Sequence, residues 1–236
     1  MTGNTTEHII AEDFYDEIYA QTWEVFNDLN SPFQRYRTSK VLEIYTPKAN
    51  ERVVDLGAGW GTMSFACAPY CKDVVGVDFS AGSIETCNRL LEKHGYDNVT
   101  FVQGPAEATG LPSESYDVII SADLLEHLYP DQTEAFFDEC RRLLKPGGKV
   151  VLWTPYPGHF FELMKQNNFL IKEDEGHVDY KTMSGLLDAL KARNFQIEKS
   201  YYVESHFPVL RTLEKLLMPI LPLMRRRIAT LAVKVD

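Results

Sequence analysis

Several things are scarce in this chain of 236 residues, and each shortage closes a class of function. There are four cysteines, Cys67, Cys71, Cys87 and Cys140, with no CxxC pair and no regular framework. A disulfide scaffold is therefore excluded, and reduced intracellular thiols are expected. Positive charge is short as well: 24 Lys and Arg stand against 34 Asp and Glu, a formal net charge of −10. That balance excludes a nucleic-acid backbone as the main partner, because phosphate binding depends on clustered cations. The longest apolar run, residues 216–224, is interrupted by Pro219 and Pro222. It falls far short of the roughly 20 residues needed to cross a bilayer. Residues 1–13 are polar and acidic without an apolar h-region, which argues against a signal peptide and for a cytoplasmic location. Histidines number six and show no HxxxH or HxH spacing.

Apolar and aromatic residues are well supplied, at 44% and 12%. A chain of this length can build one sizeable α/β domain with room for a cap. Its organising stretch is Val53-Val54-Asp55-Leu56-Gly57-Ala58-Gly59-Trp60-Gly61-Thr62, followed by Val74-Val75-Gly76-Val77-Asp78. A parallel strand buried on both faces reads as a continuous apolar run, and the glycines supply the tight turn into a helix. Asp78 follows Gly57 by 21 positions, close to the separation of about 20 at which an acid ending the second strand reaches a ribose diol. The dinucleotide fingerprint GxGxxG is not met, since the third glycine comes one position early and Thr62 occupies its place. A pyrophosphate ligand is disfavoured.

With Asp55 two positions before Gly57, the pattern resembles the E/DxGxGxG motif of class I S-adenosylmethionine-dependent methyltransferases. The resemblance runs on through Gln103-Gly104-Pro105-Ala106-Glu107, similar to the adenine-binding turn, although Pro105 stands where many relatives carry Asp. It continues through the strand 116–122 leading into Glu126-His127, and through Leu144-Lys145-Pro146-Gly147-Gly148 before a strand at 149–153. It implies an α/β fold, a Rossmann-like doubly wound, mostly parallel seven-stranded sheet with N-terminal helices and a helical insertion before the last strand. Residues 1–50 are expected as a helical lid, 51–236 as the methyltransferase domain, and 155–180 and 204–227 as cap insertions. It also implies that Gly57, Gly59 and Gly61 approach S-adenosylmethionine with Asp55 behind them. Asp78 and the adjoining Phe79 would meet the ribose, Ala106 and Glu107 the adenine, and Ser121 the amino group through its carbonyl.

His127 is the candidate catalytic base, because a neutral imidazole suits deprotonation of a hydroxyl near pH 7; a capping role in the Glu-His turn is the alternative. The loop 155–180 carries Tyr156, His159, Phe160, Phe161, Phe169 and His177, and points to an aromatic or apolar small-molecule acceptor. Residues 172–180 weakly resemble the Gly-x-His turn of the ubiquinone-biosynthesis O-methyltransferases, which employ a divalent metal. His127, His177 and His159, with Glu126 or Asp179, are accordingly candidate ligands for Mg, Mn or Fe.

Phe14, Tyr15, Ile18, Tyr19, Trp23 and Phe26 recur at helical spacing, and Tyr15 and Tyr19 are candidates for the lid. Residues 36–45, 63–70, 80–94, 131–144 and 182–192 read as helices and 196–203 and 228–235 as strands, which the family resemblance implies form an antiparallel hairpin at the sheet edge. From Phe207 onward six Lys or Arg face two acids, a local +4 beside Leu213, Leu216, Leu217 and Ile220. That segment is expected to cover the substrate cleft, form a dimer interface or touch an anionic membrane. The reading as a whole is an S-adenosylmethionine-dependent methyltransferase, acting most readily at oxygen. N- or C-methylation, a nicotinamide-dependent dehydrogenase and a non-catalytic cofactor-binding protein are the alternatives.

Overall fold

The computed structural model describes residues 31–172 and 176–236. The candidate lid residues Tyr15 and Tyr19 lie outside the described residues, as do 173–175. Ser31 caps α1 (Pro32–Ile44), accepting a hydrogen bond from the Gln34 N–H with Pro32 in the first turn. The helix expected at 36–45 thus starts four residues earlier, since a serine followed by proline opens a helix as readily as it breaks one.

The apolar runs then form strands and the amphipathic segments helices, in the order β1 (Arg52–Leu56), α2 (Thr62–Cys67), β2 (Asp73–Asp78), α3 (Ala81–His94), β3 (Val99–Gln103) and β4 (Tyr116–Ala122). A single 3-10 turn, Leu125–His127, leads to α4 (Pro130–Leu143) and β5 (Leu144–Pro155). The remainder is α5 (Phe160–Gln166), α6 (Met183–Lys191), β6 (Phe195–Val203), α7 (Pro208–Leu217) and β7 (Arg227–Lys234). Ser80 caps α3 by accepting from Ser83 N, and Thr182 caps α6 by accepting from Gly185 N. The Leu-Lys-Pro-Gly-Gly segment is taken into β5 with a break in register opposite Tyr116 and Val118, where Gly147 turns at φ +75°.

The seven strands are ordered β3-β2-β1-β4-β5-β7-β6. β7 runs antiparallel to both neighbours, and the pairings among the other strands are parallel. Successive residues of a strand point to opposite faces, so Val53, Ile120 and Val151 pack in one core, against Val41, Met63 and Leu90. Val54, Ile119 and Val150 pack in the other, against Phe136, Leu143 and Leu190. Strand order reverses between β1 and β4, and at such a crevice α/β sheets bind ligands beyond the carboxyl ends of the strands.

The insertion before the last strand folds as α7, but its polarity is inverted. Glu214 is the helix's buried residue, while Val209, Leu213 and Leu216 face outward, as does Ile220 in the turn that follows. No helix among the described residues is long and apolar enough to cross a membrane.

Candidate active site

The loop after β1 turns on three glycines in the left-handed region, with φ of +76° at Gly57, +53° at Gly59 and +71° at Gly61. An L side chain is strained in such a conformation. At two positions the bare backbone serves packing: a Cβ on Gly57 would lie 2.8 Å from Leu124, and one on Gly61 would lie 2.7 Å from Phe101 and 2.9 Å from Phe65. Gly57 and Ala58 donate from their N–H groups to the Val77 carbonyl, at 2.9 Å each, which ties the loop to the end of β2.

Asp78 completes that tie. Its Oδ2 accepts from Gly59 N at 2.8 Å and its Oδ1 from Ser80 N at 3.1 Å. Each carboxylate oxygen has a second lone pair, so the residue expected to meet a ribose diol also braces the glycine turn. Ser83 Oγ and Cys87 Sγ both donate to the Gly59 carbonyl at 3.0 Å. Below the loop, Asp55 is buried and accepts from Ser64 Oγ at 2.7 Å. Burial pushes its carboxyl up to about 6, against the pull of the Ser64 hydrogen bond and of Arg37.

The other candidate cofactor residues stand at the same strand ends. Phe79 follows Asp78 and its carbonyl accepts from Gln103 Nε2. Gly104 donates to the Asp78 carbonyl, which sets the turn holding Ala106 and Glu107 beside β2. The Ala106 methyl is buried in the second core, and Glu107 accepts from Gln132 at 3.1 Å. Ser121 is buried near the end of β4, one residue past the last pairing with β1, and its Oγ has no hydrogen-bond partner among the described residues. An unsatisfied hydroxyl at a switch point, beside a positive-φ glycine loop, fits a polar ligand entering there.

Beyond β4 two distant segments are stapled together. His127 Nδ1 donates to the Gly176 carbonyl at 2.7 Å, and Val178 and Asp179 donate back to the Glu126 carbonyl. His177 is thereby brought against His127, ring centroids 4.9 Å apart and edge to face. The His177 Nδ1 meets the Tyr180 hydroxyl at 2.7 Å, and that hydroxyl donates to Glu162 Oε2. Both imidazoles are held from behind through Nδ1, so Nε2 is the accepting nitrogen in each. One ligand atom each from Glu126, His127 and His177 lie within 4.8 Å of one another. Glu126 accepts from Thr154 Oγ1, and burial followed by the charge of Asp123 raises its carboxyl to about 7.

His159 does not join this group, and its candidacy as a metal ligand is corrected. It is fully buried elsewhere, with Nδ1 accepting from Phe161 N and Nε2 donating to Glu214 at 3.0 Å, so both ring nitrogens are committed. Asp179 likewise pairs with Lys181 at 2.6 Å.

The sequence reading missed a chain of charges lining the same end of the sheet. Asp123, left-handed at φ +58°, lies between Arg37 at 2.7 Å and Arg227 at 3.2 Å. Burial raises its carboxyl, but the two arginines outweigh burial and hold it below the ordinary range. Glu162 takes Arg226, and the neighbouring cations bring its carboxyl down to about 2 in spite of burial. The run Arg225-Arg226-Arg227 was visible as charge, but its carboxylate partners lie 64 and more residues away.

A methyltransferase domain family matches residues 53–148. The uncharacterized methyltransferase YcgJ of Bacillus subtilis is 35% identical over 46% of this chain and 42% of its own length. Its crystal structure superposes with a TM-score of 0.67 at 20% identity, covering 86% of this chain and 99% of that one. A demethylmenaquinone methyltransferase of Clavibacter sepedonicus is 38% identical over 58% of this chain and 55% of its own length. A ubiquinone biosynthesis O-methyltransferase of Histophilus somni is 29% identical over 58% and 60%. The chain thus spans about half the length of the curated relatives it matches, and the structural likeness shows the fold. With the glycine loop, the Asp78 brace and the switch-point crevice all inside the matched segment, residues 53–148 belong to the class I S-adenosylmethionine-dependent methyltransferases.

Proposed function

We propose that the chain transfers a methyl group from S-adenosylmethionine to an oxygen of a small aromatic or apolar acceptor, with His127 as the general base. The observation that carries this reading is the tautomer of His127: Nδ1 donates to Gly176, so Nε2 is the nitrogen that takes a proton. S-adenosylmethionine, when bound, supplies a methyl group on a sulfonium, already an activated leaving group. What remains for the protein is to orient the acceptor hydroxyl, accept its proton and exclude water. Asp78, Phe79 and the 57–61 loop hold the nucleoside, Ala106 and Glu107 its base, and the unsatisfied Ser121 region its amino-acid end. The relatives named for ubiquinone and menaquinone biosynthesis support a small-molecule acceptor.

His127→Ala tests the role of the base, with S-adenosylhomocysteine binding measured by calorimetry and turnover measured separately with S-adenosylmethionine as donor. The variant is expected to bind that product as the parent does while methylation of a catechol probe falls by a factor on the order of 10² to 10⁴. Undiminished turnover removes His127 from the chemistry.

A second reading follows from the proximity of Glu126, His127 and His177. Two imidazole nitrogens oriented from behind, with one carboxylate, fit a divalent metal such as Fe, Mn or Mg. The ion would lower the pKa of an acceptor hydroxyl and spare His127 its role as base. Chelation followed by elemental analysis separates the two: methylation unchanged after metal removal leaves the base mechanism alone.

A further inference from the structure

We propose that Arg226 and Arg227 seat a carboxylate carried by the acceptor, so that the substrate is an anionic small molecule. The inference rests on the reading of the His127 site as the acceptor site. β7 is antiparallel, so its first residue, Arg227, pairs with Pro155 at the carboxyl end of β5, the same end as the site. Glu162, which holds Arg226, also accepts from Tyr180, whose oxygen holds His177 against His127. The guanidiniums therefore stand one carboxylate away from the paired imidazoles.

Among the described residues the ion-paired charges do not cancel. The ion pairs that Arg37, Arg226 and Arg227 make with other described residues run to two carboxylates, Asp123 and Glu162. The three arginine side chains are only 15%, 17% and 13% exposed. A surplus cation at that depth is costly unless an anion completes it. The hydrogen bonding is incomplete too. A guanidinium has five N–H donors, yet among the described residues the Arg226 side chain donates to Glu162 alone, and Arg227 adds to its Asp123 and Glu162 ion pairs a 3.5 Å bond to the Arg226 carbonyl. Burial and the same two cations push the His206 imidazole down, as expected of a ring beside two guanidiniums. Arg226 also lies over the Phe161 ring at 5.6 Å, which suits a planar aromatic acid approaching from that side.

A carboxylate here has two sources, the acceptor or the methionine end of the cofactor, and the test separates them. The protein saturated with S-adenosylhomocysteine is titrated by calorimetry with 3,4-dihydroxybenzoate and with the neutral, isosteric 3,4-dihydroxybenzamide. The acid is expected to bind at least about tenfold more tightly, the size of one charge-assisted pair. Arg226→Gln should bring the two probes within about threefold of each other, and Glu162→Gln, which removes the competing carboxylate, should widen their gap. Arg226→Lys keeps the charge and is expected to retain part of the preference, which keeps the test open should Arg226→Gln not fold. Equal binding of both probes by the parent, or binding of neither, overturns the inference while leaving the cofactor reading intact. A loss of S-adenosylhomocysteine affinity in Arg226→Gln with the preference unchanged assigns the arginines to the cofactor and also overturns it. Failure of the parent to bind S-adenosylhomocysteine overturns instead the reading on which the inference rests.

Discussion

Gly61 shows why single positions in the loop are so restrictive. It combines φ of +71° with a Cβ position already occupied by Phe101 and Phe65. Gly61→Ala is expected to cost about 2 to 4 kcal/mol, from backbone strain plus overpacking, measured by denaturant unfolding. A loss under 0.5 kcal/mol would show that the two phenylalanines move aside. Asp55 makes a prediction of opposite sign. Its carboxyl rises from 3.8 to about 6 on folding, so between those values the native state binds more protons than the unfolded chain. Stability from this group is complete below pH 4 and is lost as pH rises through 6, by about 3 kcal/mol. Asp55→Asn, which keeps an acceptor for Ser64, should match the parent near pH 4 and exceed it at pH 8, as read by unfolding at both values. Equal stability at pH 8 would mean that Asp55 is better solvated than its burial implies. Asp55, the glycines and Asp78 were legible because a motif is local in sequence and its spacing follows from strand and turn geometry. Arg37 and Asp123, 86 residues apart, were not, since no periodicity in either segment foretells a contact across the switch point.

Elements were legible where their period was clean and opaque where a buried polar group set their orientation. The apolar runs of β1, β2 and β4 could only be strands buried on both faces. In α7 the leucines were expected to cover the cleft, a dimer partner or a membrane, and the sequence did not say which face turns in. Glu214 turns inward to meet His159 and the Ser205 N–H, and Leu213 and Leu216 turn out. A hydrogen-bonded carboxylate outranks apolar burial here, because leaving either partner unsatisfied in the interior costs more than exposing a leucine. Glu214→Ala should therefore destabilise the fold by about 3 kcal/mol. Leu216→Lys and Ile220→Lys, at side chains 72% and 79% exposed, should each stay within about 0.5 kcal/mol of the parent. If the lysine variants prove the more damaging in thermal unfolding, the outward face is covered by something, and the assignment of burial in α7 is wrong. The same balance explains His159. It looked like a metal ligand in a histidine-bearing loop and is in fact the cap of α5 and the partner of Glu214.

For the whole molecule, the parallel strands followed from the alternation of strands and helices and the seven-stranded count from the family resemblance, but the order of the last two strands needed the side chains. β7 goes inside because Ile228, Ala229, Leu231 and Ala232 are apolar on both faces, whereas β6, with Gln196, Glu198 and Lys199 exposed, tolerates the edge. That sheet makes the proposed cofactor site a property of the entire fold. Its contributors end β1, β2, β3 and β4, with an unsatisfied Ser121 hydroxyl and three left-handed glycines among them. No single element can hold the nucleoside alone, so its binding must be linked to global unfolding. At one hundred times its dissociation constant, S-adenosylhomocysteine is expected to add about 2.7 kcal/mol of stability. For a domain of this size that raises Tm by about 5 to 11 °C. NAD at the same concentration should leave Tm where it is, because Thr62 stands where a pyrophosphate-binding loop has its third glycine. A Tm that rises with NAD and not with S-adenosylhomocysteine would return the loop to the dinucleotide-binding class. A Tm that moves with S-adenosylhomocysteine in the parent but not in Asp78→Asn would place the linkage at the end of β2, where the carboxylate both braces the glycine turn and faces the ligand.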